Sequence, residues 1–179
     1  MSVLTIVLLV LVILIALLLI IASVSSKEYV IEEEITIGQP VQKLYDYLRH
    51  LKNQDYYSKW VMMDPQAKKE YTGTDGTVGF IASWDSENKQ VGKGAQEIIQ
   101  LKEGERIDLE VRFEKPFKAT AYAYFLIQPA NGGQSKVIWG FRGTRNLLMK
   151  VMHLLINMKK MIGNDLATGL RNLKTVMEK

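Results

Sequence analysis

Asp165 is the carboxylate whose setting most suggests chemistry. The segment Arg145–Lys179 has the apolar spacing of one long helix. At about 100° per residue, Asp165 falls near the centre of its apolar stripe, in line with Leu147, Met158 and Val176. A carboxylate there needs a partner or a wet cavity. Three settings satisfy that need: a hydrogen bond to a strand or neighbouring loop, exposure at a kink near Gly163, or a ligand or catalytic role. Glu33 shares a face with Ile31 and Ile35 and is expected at an edge or frayed position of a sheet. It forms an acid pair with Asp165 only if both point inward. His50 lies near the end of a short helix, where a cation suits the dipole. His153 lies on the polar side of the long helix. Neither histidine has a ligand-type neighbour in sequence, so no metal site is predicted. Gly73-Thr74-Asp75-Gly76-Thr77-Val78-Gly79 lacks the lysine and following helix of a phosphate loop and reads as a hairpin turn. Nucleophile-elbow and zinc-protease motifs are absent.

The composition narrows the classes further. The 179 residues contain no cysteine, which excludes a disulfide scaffold, thiolate metal sites and a cysteine nucleophile. The net charge of +4 is mild and dispersed, so no nucleic-acid partner is predicted. Beyond residue 26 the chain is about 41% apolar, ordinary for a soluble domain.

The first 26 residues are different. Ile6–Ala22 is an unbroken run of 17 apolar residues, and Val3–Val24 extends it to 22. As a helix this spans ~33 Å, enough for a bilayer core. The rival reading is a cleaved signal peptide. The run is longer than a usual signal core and no Lys or Arg precedes it, which favours an uncleaved anchor. Lys27 is the first charged residue, and too few basic residues flank the run to assign a membrane face. The expected division is an anchor with linker over 1–26 and a folded domain over 27–179, with residues 3–24 contacting the membrane.

The domain opens with a strand, where Tyr29–Ile37 alternates with period two. Pro40 then starts a short helix carrying Val41, Leu44, Tyr45, Leu48 and Leu51. Asp55–Pro65, rich in aromatics and Met, is either a second short helix or a loop. From Lys68 to Arg142 period-two runs alternate with turn residues, giving about six strands and seven with the first. One polar face per run argues for an antiparallel sheet. Gly163 and Gly169 in the closing helix mark either a kink or a close approach.

This order resembles the helix-grip fold of the SRPBCC superfamily, which includes polyketide cyclase-like, birch-pollen-allergen-type and START-like lipid-transfer proteins. Local segments fit as well. Ile35–Leu48 is similar to the family's strand-to-helix opening, Val78-Gly79-Phe80, Gly92-Lys93-Gly94 and Gly104-Glu105-Arg106-Ile107 to its hairpins, and Met161–Lys174 to its closing helix. The resemblance implies an α+β fold in which a curved antiparallel sheet grips the long helix around an apolar cavity. Tyr56, Trp60 and Met62 fall where such folds place the cavity mouth, with Tyr57 and Met63 beside them. Phe80, Trp84, Phe113, Trp139 and Phe141 are expected on the concave face, and Met158 and Asp165 on the helix above, which also carries Met149, Met152 and Met161. Tyr122 and Tyr124 complete the expected lining. A packed core is the alternative for these large side chains. The expected function is a membrane-anchored carrier, presenter or sensor of a hydrophobic small molecule or lipid, without a cofactor. One alternative is a cyclase or dehydratase-like enzyme using Asp165 with Tyr122 or Tyr124. The other is a membrane-tethered protein-interaction module.

Overall fold

The computed structural model describes residues 2–179, and within them every side chain except those of Leu148, His153 and Leu155. The elements run α1 (Val3–Val24), β1 (Glu28–Ile37), α2 (Val41–Leu48), a 3-10 turn (Leu51–Tyr56) and α3 (Lys59–Met62). Six strands follow: β2 (Lys68–Thr72), β3 (Ile81–Asp85), β4 (Lys93–Lys102), β5 (Arg106–Lys115), β6 (Ala119–Pro129) and β7 (Ser135–Thr144). Two helices close the chain, α4 (Leu147–Leu155) and α5 (Met158–Met177).

All strand pairs are antiparallel, in the order β1-β7-β6-β5-β4-β3-β2. β2 to β7 form a meander, and β1 returns to pair with β7 from Glu28↔Thr144 to Ile37↔Ser135. Period-two patterning decides which face is buried. Ile107, Leu109 and Val111 of β5 enter the core beside Ile98, Phe125, Val137 and Trp139, and Leu166, Leu170 and Leu173 of α5 cover them. This is the α+β helix-grip fold: a seven-stranded sheet holding a C-terminal helix.

The closing helix differs from its sequence expectation. Ile156 leaves the helix in an extended conformation, and Asn157 restarts it by accepting a hydrogen bond from the Lys160 amide. Asn146 caps α4 in the same way, through Met149. An asparagine that can cap a new helix competes with continuing the old one. The apolar stripe hid this break because it keeps its phase across it.

Gly163 and Gly169 both lie inside α5, which does not break at either. They serve close approach. A Cβ at position 169 would sit 2.5 Å from the Trp139 ring and 3.3 Å from the Tyr57 carbonyl. A Cβ at 163 would meet only a Glu33 carboxylate oxygen at 2.8 Å, the far end of a flexible side chain. The two alanine variants should therefore diverge. Gly163→Ala gains up to about 1 kcal/mol of helix propensity. Gly169→Ala loses about 1–3 kcal/mol to overpacking. Denaturant titration of both variants checks this, and equal effects would contradict it.

Candidate functional site: an apolar cavity under the helices

A row of short side chains crosses the concave face. Ala82 pairs with Gln96, Gln96 with Val111, Val111 with Ala121, Ala121 with Gly143, and Gly143 with Tyr29. Paired residues share a face, so this row forms a trough. Bulky neighbours rise on both sides of it. Trp84 and Phe113 stand at one end, in edge contact at 6.2 Å. At the other end Phe125 and Trp139, 4.9 Å apart, pack up against α5. Trp60 and Val61 of α3, Met149 of α4, and Met158 and Ile162 of α5 roof the trough. The enclosed cavity has a volume of about 350 Å³ and is partly open to solvent. Its lining is mostly apolar, the usual character of a small-molecule site.

Polar groups are a minority of the wall, and some of them pair with one another. The Gln54 and Gln96 amides exchange hydrogen bonds of 2.9 and 3.2 Å. Gln54 is buried, so each amide keeps one N–H and spare acceptor capacity that water reaches poorly. Lys69 pairs with Asp55 at 2.8 Å across the β2 side. Asp64 accepts from the Ser86 hydroxyl and from the Gln66 amide. The cavity therefore presents hydrogen-bonding capacity, one balanced ion pair and the Asp64 carboxylate.

Of the side chains expected in this lining, Trp60, Trp84, Phe113, Trp139, Phe141 and Met158 are brought together there. The others lie elsewhere. Tyr56 is 64% exposed, and Met62 is also exposed, its sulfur accepting from Asn172 of α5; neither lines the cavity. Phe80 is buried outside the cavity, stacked on Tyr71 at 6.0 Å. Asp165 does not reach the cavity, because Lys59 of α3 donates to its carboxylate and ties α3 to α5. Glu33 faces Gly163, so the two acids have separate surroundings. The His153 side chain lies outside the described residues. Among those residues, no group of three or more His, Asp or Glu is placed to hold a metal ion.

Tyr122 and Tyr124 face the opposite, convex side, as alternation with Ala121 and Ala123 requires. There Arg142 sits 5.4 Å over the Tyr122 ring and Arg106 4.6 Å over the Tyr124 ring. The Tyr124 ring lies across Gly140, where a Cβ would stand 2.1 Å from it. Its hydroxyl donates to Glu32. Burial, first, and the neighbouring Glu32 carboxylate push the Tyr124 hydroxyl from 10.0 up to about 12, against the opposing pull of Arg106 and Arg142. The raised value fixes the sign of its pH dependence. Its stabilising contribution is full below pH 10 and is lost as pH rises through about 12. Alkaline titration of tyrosinate absorbance should show a late component, shared with the buried Tyr57, that Tyr124→Phe diminishes.

No family model matches the chain, and no curated protein is significantly similar to it. Solved structures share its architecture. Protein MLL2253 from Mesorhizobium loti aligns with a TM-score of 0.60 at 13% identity, covering 84% of this chain and 97% of its own. Protein CV1439 from Chromobacterium violaceum aligns at 0.59 with 14% identity and the same coverage. The Aha1 dimer protein from Colwellia psychrerythraea aligns at 0.58 with 13% identity, covering 84% and 96%. The likeness is one of fold alone.

Proposed function

We propose that the chain is an SRPBCC-type helix-grip protein that binds a hydrophobic small molecule or lipid in the cavity between sheet and helices. α1, 22 residues long with a mean hydropathy of 3.7 over its most apolar window, tethers it to a membrane. The division is an anchor over 1–26 and a binding domain over 27–179. The observation that carries the reading is the 350 Å³ mostly apolar cavity, with a partly buried amide pair in its wall. That chemistry favours an uncharged, largely apolar ligand with one or two hydrogen-bonding groups. A carboxylate ligand would lose its hydration there and meet the Asp64 carboxylate in the wall. No catalytic role is proposed for Asp165, because Lys59 holds it outside the cavity.

All three tryptophans of the chain, Trp60, Trp84 and Trp139, line the cavity, so their fluorescence reports on its contents. The test is titration of the full chain in lipid nanodiscs with a dibrominated long-chain alcohol, a heavy-atom quencher. Saturable quenching of the tryptophan emission is the expected result. Quenching that rises linearly with probe, as for simple partitioning into lipid, would overturn the reading.

A further inference from the structure

α4 is apolar nearly all round in sequence, Leu-Leu-Met-Lys-Val-Met-His-Leu-Leu, and although Met149 roofs the cavity, several of its described apolar side chains are left uncovered. Leu147, Met152, Leu154 and the following Ile156 are all exposed, Leu154 to 46%. A helix of this kind needs an apolar environment beyond the domain. The element it packs against is α1. Along α1, Ala22 is completely buried and Leu18 is half-buried, whereas the surrounding residues are exposed. Leu18, Ala22 and Ser25 recur on one helical face. The contact therefore lies within about 10 Å of the end of α1, at 1.5 Å per residue.

The joint is also bonded. Lys150 is buried, and its ammonium donates to the carbonyls of Ser23, at 3.2 Å, and Ser25, capping the C-terminus of α1. Arg145 donates to the carbonyls of Ser26 at 2.9 Å and Glu28 at 3.2 Å. The Arg145 amide donates to the Lys27 carbonyl at 2.7 Å. The segment expected to be a linker is thus stapled to the domain, and the direction of α1 fixes how the domain sits.

A second apolar group lies at the same end of the sheet. Tyr29 near the start of β1 is in register with Gly143, Ala121 and Val111. The tip of the β5–β6 hairpin projects beyond that row on the side of α1. It carries Phe117, 71% exposed, between the exposed lysines Lys115 and Lys118. Lys89, in the β3–β4 loop at this end, is exposed as well. An isolated aromatic framed by cations suits an interface of acyl chains and anionic headgroups. Thr120 at the base of this hairpin, Thr144 at the end of β7 and Gln90 in the β3–β4 loop are exposed residues of the cavity lining at this end. On the β2 side the lining residues Asp55 and Tyr71 are exposed too, and the Lys69–Asp55 pair bridges the wall there.

From this juxtaposition we infer that α4 and the Phe117 hairpin lie in the bilayer interface beside the end of α1, so that the cavity opens onto the leaflet and exchanges its ligand with lipid rather than with bulk water. The occupant of the exposed face of α4 is the membrane. About 5–10 Å is the depth of an interfacial helix, which matches the position of the α1 contact. The inference rests on α1 being a membrane anchor.

The absence of cysteine allows clean single-site labelling. Cysteines are introduced at Leu14 in α1, at Met152 and Leu154 in α4, at Phe117, and at Asn131 in the β6–β7 turn at the far end of the sheet. Each full-length variant is labelled with an environment-sensitive fluorophore in nanodiscs containing anionic lipid. Doxyl-labelled lipid should quench labels at 14, 152, 154 and 117 several-fold more than the label at 131, and aqueous iodide should do the reverse. Quenching by lipid at 14, with 152, 154 and 117 behaving like 131, overturns the inference and leaves the anchor intact. Shielding of 152 and 154 from both quenchers means that a protein surface covers α4, and also overturns it. Loss of lipid quenching at 14 overturns the anchor itself and the inference with it. Two independent sites on α4 keep the result readable if one variant folds poorly.

Discussion

Trp139→Ala is expected to remove about 3–5 kcal/mol of stability, the range for truncating a large buried aromatic. For a chain of this size that corresponds to a fall in Tm of roughly 6–20 °C. Trp139 is 4% exposed and sits at the junction of sheet, α3 and α5. Its ring meets Phe125 at 4.9 Å, Tyr57 at 5.7 Å and Trp60 at 5.8 Å. Gly169 of α5 is notched to receive it. Few sites in the fold connect as many elements, and little can collapse into the space left behind. The neighbouring cavity adds a second contribution, since the truncated wall opens into existing volume. Trp84→Ala is the proper comparison: Trp84 is only half-buried at the rim and should cost distinctly less. Thermal melts of both variants, followed by circular dichroism, decide the matter. Equal losses would show that the Trp139 cluster is not the structural centre of the fold.

Much of this architecture was legible in the residues. Period-two runs gave seven strands, and a 3.6-residue period gave the amphipathic helices, because burial of one face leaves its mark locally. Features that depend on two distant segments were less legible. Alternation puts Ala121 and Ala123 on one face and Tyr122 and Tyr124 on the other, so the error of placing both tyrosines in the cavity was avoidable. The trough was not readable, since it requires the register that sets Ala82, Gln96, Val111, Ala121 and Gly143 side by side across five strands. Each is unremarkable in its own strand. The place of Asp165 on the apolar stripe calls for a partner, but Lys59 of α3 lies 106 positions away and nothing local points to it. The Gln54–Gln96 pair went unnoticed for the same reason. The break at Asn157 had a local sign, a strong N-cap residue inside a helical pattern, outweighed by the continuity of the apolar stripe.

Ala123→Phe should weaken ligand binding at least about tenfold while preserving the fold. Ala123 lies on the inward face of β6, in register with Leu109 and Phe141, and all three line the cavity. A phenyl ring there projects into open volume instead of into packed neighbours. Its steric cost is expected at the low end of the usual 1–3 kcal/mol for overpacking, and burial of the ring offsets part of it. The effect on a ligand is much larger, because ring and ligand compete for the same 350 Å³. Affinity for the dibrominated alcohol should fall by about tenfold or more, equivalent to at least ~1.4 kcal/mol. Tyr124→Phe, the next residue but for the opposite face of the same strand, is the control and should leave affinity unchanged. Tryptophan quenching measures both, and a melt of each variant confirms that the fold persists. If Ala123→Phe binds the probe as well as the unaltered chain does, the ligand does not sit on this face of the sheet. If both variants lose binding with intact melts, the site extends through the strand to the convex surface, which a cavity-bound ligand cannot explain.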